Sequence, residues 1–187
     1  MSKEARIHAL VEALKRPAPG MSKTLSQRKK EGERELERPD FVWHLLLQSF
    51  GTWGGSRGWE GLIGTGENYD RVTFVALSRL GPEARIRELE QVFLAAGVRY
   101  ARMKADLMAK NYDLVAEMGG PEEAKRLAFA QEGRAAKIAF MKRFQGIGDK
   151  YTRNICMDCY HPDFRDSVAV DERIKKVTEA LGYSFAS

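Results

Sequence analysis

The 187-residue chain predicts an all-α fold on three observations. Apolar residues recur every three or four positions along most of its length. No alternating stretch long enough for a strand interrupts them, and Gly or Pro punctuates the periodic runs. Hydrophobic residues make up 43% of the chain, enough to build a core. No apolar run approaches the roughly eighteen residues of a membrane span, and the charged N-terminus lacks a signal-peptide pattern, so a cytosolic protein is expected.

The elements follow in order. Ile7, Leu10, Val11 and Leu14 form one stripe of a helix over residues 3–15, broken by Pro17, Pro19 and Gly20. Residues 21–39 are highly charged with few apolar anchors, which fits either a linker or a solvated helix. From Phe41 the pattern turns apolar through Trp43, Leu45, Leu46, Leu47 and Phe50, a buried helix ended by the glycine-rich stretch 51–58. Residues 68–80 and 82–96 read as two helices, the second opened by Pro82 and stopped at Gly97. Met103, Leu107, Leu114 and Met118 place another helix over 103–118, its methionines read as core filler, and two more span 121–131 and 132–144. About nine or ten helices are expected in all.

The most informative stretch runs from Phe144 to Ile174. Gly146 and Gly148 permit a tight reversal after the helix ending near Arg143, and Tyr151, Ile155 and Cys159 restart helical spacing near Asp149. Such a turn presents free backbone N–H groups at a helix N-terminus, where a phosphate can be held without reading sequence. Lys150 falls in the first turn of that helix, where the positive dipole end favours a neutral amine. Asp171 opens a further helix 21 residues later. Taken singly, these are a tight turn, a surface lysine and an N-cap. Residues 134–157 carry six basic side chains (Arg134, Lys137, Lys142, Arg143, Lys150 and Arg153) against Asp149 alone. That cluster accounts for the chain's net charge of +5 and is the footprint expected for phosphate binding.

The segments Gly146-Ile147-Gly148-Asp149-Lys150-Tyr151 and Val170-Asp171-Glu172-Arg173-Ile174 resemble the helix-hairpin-helix (HhH-GPD) DNA glycosylase superfamily, which contains endonuclease III and the 8-oxoguanine DNA glycosylases. The resemblance implies a two-lobed helical fold with a catalytic cleft between the lobes. A barrel lobe would span roughly residues 60–164 within a domain over 41–187, after an N-terminal helix and charged linker over 1–40. It further implies a base-excision-repair glycosylase with AP lyase activity, with Lys150 attacking the sugar and Asp171 serving the chemistry. The partner would be double-stranded DNA containing a damaged base, met by a monomer associated with the nucleoid. A non-catalytic helix-hairpin-helix module, or a lyase acting only on abasic sites, are the alternatives. By position, Gly146, Gly148 and Arg153 would contact DNA, as would Gln48 and Arg57 near the end of the first core helix. Tyr100, with Val98 next, would be the wedge that fills the gap left by an extruded nucleotide. Gln145 and Thr152 stand where the family usually has proline and alanine.

Several members of the family hold an iron–sulfur cluster on four cysteines. Here only Cys156 and Cys159 occur, so neither that cluster nor any other cofactor is expected. Cys156, Cys159 and His161 would leave a zinc ion short of a fourth ligand, and the two thiols read as reduced core residues. His8, His44 and His161 show no acid–base partner in the sequence.

Overall fold

A computed structural model describes residues 2–14, 20–64, 66–164 and 172–182. Twelve α-helices and one 3-10 turn occur among them, and no strand. They are α1 (Lys3–Leu14), α2 (Met21–Glu37), α3 (Phe41–Thr52), α4 (Arg57–Ile63), α5 (Glu67–Arg71) and α6 (Phe74–Ser78). There follow α7 (Pro82–Ala95), α8 (Ala101–Glu117), α9 (Pro121–Phe129), α10 (Gly133–Met141), α11 (Asp149–Asp158), the 3-10 turn Pro162–Phe164 and α12 (Glu172–Ala180).

The centre is α3. Phe41, Val42, Trp43, Leu45, Leu46, Leu47 and Phe50 are all buried, so this helix is apolar nearly all round, as a helix enclosed by others must be. It packs against α2, α4, α8 and α9, while α7 and α8 form a helical hairpin beside it. Leu89, Val92 and Phe93 of α7 and Ala105, Met108, Tyr112 and Val115 of α8 supply that side of the core.

Two expectations are corrected. The helix read over 68–80 is two short ones. The Trp43 indole N–H takes the Val72 carbonyl (2.9 Å), and Thr73 adopts extended backbone and caps α6 by accepting from the Ala76 N–H. The stretch 51–58 is not all loop, because α3 runs through Gly51 to Thr52 and α4 already starts at Arg57. The charged stretch after Gly20, left open between a linker and a solvated helix, is the solvated helix.

That helix, α2, is exposed except around Gly32 and the partly buried Leu36. Gly32 crosses the end of α11 so closely that a Cβ there would lie 2.2 Å from the Asp158 carbonyl oxygen. No side chain fits in that crossing, and the approach ties α2 to α3 and α11. No described helix is long and apolar enough to cross a membrane.

Candidate functional site

The hairpin forms from α10, a turn over residues 142–148, and α11. Phe144 and Ile147 are buried and anchor the turn in the core. Gly146 has φ +81°, a conformation costly for an L-residue, and its Cα faces the Phe50 ring. A Cβ at this position would come within 2.8 Å of that ring. Gly148 is extended (φ −109°) and precedes α11 without a side-chain cap. The first bond of α11 runs from the Thr152 N–H to the Gly148 carbonyl (3.0 Å), so the N–H groups of Asp149, Lys150 and Tyr151 have no carbonyl in the helical ladder.

Gln145 and Thr152 are each accounted for by their local bonding. The Gln145 N–H donates to Asn111 Oδ1 (2.7 Å), and Asn111 Nδ2 donates back to the Gln145 carbonyl (3.0 Å). Proline has no N–H and could not make the first bond. Asn111, fully buried in α8, thus clamps the hairpin to the core, a role the sequence did not reveal. Thr152 is fully buried and donates its hydroxyl to the Gly148 carbonyl (3.1 Å), satisfying itself where alanine would have nothing to satisfy.

Lys150 is exposed in the first turn of α11, its Nζ 5.9 Å from the centre of the Tyr151 ring. Asp171 lies outside the described residues, and α12 begins at the next position. The basic footprint is smaller than counted. Lys137 is buried and paired with Asp163 (2.8 Å), which lies outside the counted window, while Lys142 pairs across the turn with the Asp149 already counted (2.9 Å). Arg153 is half-buried and borders a recess with Arg134 and Asp163.

Tyr100 is 70% exposed and holds the left-handed conformation (φ 58°) just before α8, unusual for a bulky residue. Val98 corrects the second wedge candidate. Its side chain is 5% exposed, packs against the backbone of Gly58 and presents nothing to a duplex. Arg57 faces Arg99 across a polar cavity of about 520 Å³ bounded by the 51–58 and 95–99 segments.

Beside this cavity is a buried lysine that sequence reasoning missed. Lys104 is 0% exposed and donates to the carbonyls of Phe50 (2.8 Å) and Trp53 (2.7 Å), closing the C-terminal end of α3. Burial, with a smaller push from Arg99, lowers its pKa to about 8.

Gln48 opens on a second cavity of about 550 Å³, walled by α2, α3, α4 and the end of α11, with Trp59, Asp158 and Tyr160 among its lining. His44 is there too, and it does have partners. Its Nδ1 is 2.6 Å from the Tyr69 hydroxyl, and its Nε2 is 3.2 Å from Glu35 Oε2. Arg38, which also chelates Asp40, donates to the Tyr69 oxygen (3.1 Å), so the Tyr69 O–H is free to donate to Nδ1. That bonding assigns the neutral ring its proton on Nε2. Burial, reinforced by Arg38, lowers the His44 pKa to about 4, and burial raises that of Tyr69. The partners come from α2, the α2–α3 junction and α5, too far apart in sequence for any spacing rule to join them.

Cys156 and Cys159 are buried and unpaired, and burial pushes both thiols up to about 12. The His161 ring stacks on Phe129. No described residues gather three or more His, Cys, Asp or Glu side chains as a metal ion would require.

Together these features define the class: an all-helical protein with a glycine-turned helical hairpin, an exposed lysine at its mouth and a cleft at the far end of the second hairpin helix. No family model, no curated protein and no solved structure matches the chain.

Proposed function

We propose that the protein is a base-excision-repair DNA glycosylase with associated AP lyase activity, acting on a damaged, oxidised base in double-stranded DNA. One observation carries the reading. The hairpin holds Lys150 exposed beside the unpaired N–H groups that begin α11, so an amine and a phosphate-binding turn share one helix terminus. The likeness of this segment and of the Asp171 segment to the helix-hairpin-helix glycosylases supports it.

In this reading the N–H groups that begin α11 after Gly148 hold a backbone phosphate, and Arg57, Gln48 and Arg153, each at the edge of its own cavity, contact the duplex. Tyr100 fills the space of the extruded nucleotide, whose anomeric carbon is out of reach inside the stack. Unprotonated Lys150 Nζ attacks C1′. The glycosidic bond breaks with its electron pair on the base, which takes up a proton. Opening of the sugar ring leaves an imine between Nζ and C1′, and loss of a C2′ proton then breaks the C3′–O bond. Asp171 stabilises positive charge on the sugar and accepts a proton.

Borohydride trapping on lesion-containing and abasic duplexes tests the proposal. Wild-type protein should form a covalent adduct. Lys150→Gln should bind DNA without forming one, and Asp171→Asn should slow base removal with little loss of affinity. Binding with a steep salt dependence but no wild-type adduct would instead identify a non-catalytic DNA-binding module. Wild-type cleavage by Lys150→Gln would overturn the assignment of the nucleophile.

A further inference from the structure

Two arginines meet where α4 packs on the end of α7. The packing there is backbone on backbone. A Cβ at Gly58 would lie 3.0 Å from the Val98 Cα, and one at Gly61 would strike the Ala96 carbonyl oxygen. Arg57 precedes Gly58 and Arg99 follows Val98, so the crossing that joins those two residues delivers both guanidinium groups to one place. The stem of Arg99 is held as well, its Cδ 3.2 Å from where a Cβ of Gly54 would stand. Both side chains border the polar cavity of about 520 Å³ between the 51–58 and 95–99 segments, a volume in the range of small-molecule sites.

No described residue neutralises this pair. Neither guanidinium has a carboxylate or hydrogen-bond partner among the described residues, and no acidic side chain lines the cavity. Glu90, on the neighbouring α7, is taken by Arg102 (2.9 Å). A third cation lies behind the first two. Lys104 is fully buried and held by carbonyls rather than by a carboxylate, and after burial itself Arg99 is the charge that lowers its pKa. Like charges gathered on rigid segments raise the energy of the folded state until an anion joins them. Ser56 adds a neutral donor, since it stands at the N-terminus of α4 without using its hydroxyl as a cap.

We infer that this cavity binds a phosphomonoester, gripped between Arg57 and Arg99 with the Ser56 hydroxyl donating a further bond. Charge favours the monoester. It carries about −1.5 to −2 near pH 7, which two guanidinium groups match, whereas each backbone diester carries a single charge. Shape favours it too, because a terminal phosphate can enter a recess that a continuous strand passes over. The carrier is a free nucleotide or the 5′-phosphate end of a DNA strand. The inference does not depend on the glycosylase reading, whose phosphate is held at the hairpin.

Isothermal titration calorimetry of the full chain tests it, with inorganic phosphate and a deoxynucleoside 5′-monophosphate as probes and dimethyl phosphate as the diester control. Wild type should bind the two dianions and not the diester. Arg57→Gln and Arg99→Gln should each weaken binding about tenfold or more, the loss expected for one charge-assisted partner, with unchanged circular dichroism because both side chains are exposed. Arg99→Lys, which keeps the charge without the fork, should fall between. Lys150→Gln should bind as wild type does, which separates this site from the hairpin. Displacement of the nucleotide by a duplex carrying a 5′-phosphate, but not by the same duplex with a 5′-hydroxyl, identifies a DNA end as the carrier. Displacement by neither identifies the free nucleotide. Failure of wild type to bind either dianion overturns the inference, as does equal binding of dimethyl phosphate or equal displacement by both duplexes. So does undiminished binding by the Arg57→Gln, Arg99→Gln double variant. None of these outcomes bears on adduct formation, by which the glycosylase reading is judged.

Discussion

Acid should loosen this protein through His44 before its carboxyl groups are titrated. The imidazole is buried with its pKa lowered from 6.5 to about 4, so the unfolded chain binds a proton more readily than the folded one. Stability tied to this group is complete above pH 6.5 and is lost as pH falls toward 4. For one site with these two pKa values, linkage gives a loss of about 2 kcal/mol between pH 7.5 and pH 5. The assay is urea unfolding followed by circular dichroism at half-unit steps from pH 7.5 to 5, comparing wild type with His44→Gln. The variant should be less stable at neutral pH, since it disturbs the bond to Tyr69, but its stability should fall much less across the interval. Parallel curves would refute the assignment and place the acid sensitivity elsewhere.

Three further outcomes are expected. Asn111→Leu should cost about 2 kcal/mol by deleting both bonds to Gln145, and it should weaken duplex binding because the turn is no longer held; thermal unfolding and fluorescence anisotropy read the two effects. Gly32→Ala should speed amide hydrogen exchange across α2 with little change in α7 and α8, because the added methyl meets the Asp158 carbonyl. Lys104 has a folded pKa of about 8 against 10.5 when free, so its contribution is present above 10.5 and lost as pH falls through 8. Stability should therefore rise by about 1 kcal/mol from pH 8 to 9 in wild type and not in Lys104→Met. Above pH 9 the raised thiol pKa values of Cys156 and Cys159 act in the opposite direction, which fixes the window for denaturant titration.

What could be read from the sequence was mostly local. The apolar periodicity located α3, α7, α8 and the hairpin helices, and the glycines of the turn marked the hairpin, because each signal lies within a few residues of the structure it dictates. The split between α5 and α6 was hidden because its cause is the Trp43 indole, 29 residues from the carbonyl it takes. The basic cluster was overcounted for a similar reason, since Asp163, which neutralises Lys137, falls outside the window that looked positive. His44 looked isolated because Glu35 and Tyr69 reach it from other helices. The cleft that they line was likewise invisible, since no periodicity shows where α2 crosses α11.

The manner of that crossing bears on how the cleft opens. Leu36 is the partly buried apolar residue α2 gives the core, joined by backbone proximity at Gly32, by Glu35 beside His44 Nε2 (3.2 Å) and by Lys29 over the Tyr160 ring, while just past its end the Lys125 ammonium meets the Arg38 carbonyl (3.1 Å). A wall attached so sparingly separates at far lower free energy than the body of the protein unfolds. Parting this one helix from its seat would widen the cleft while α3 and the hairpin keep their register.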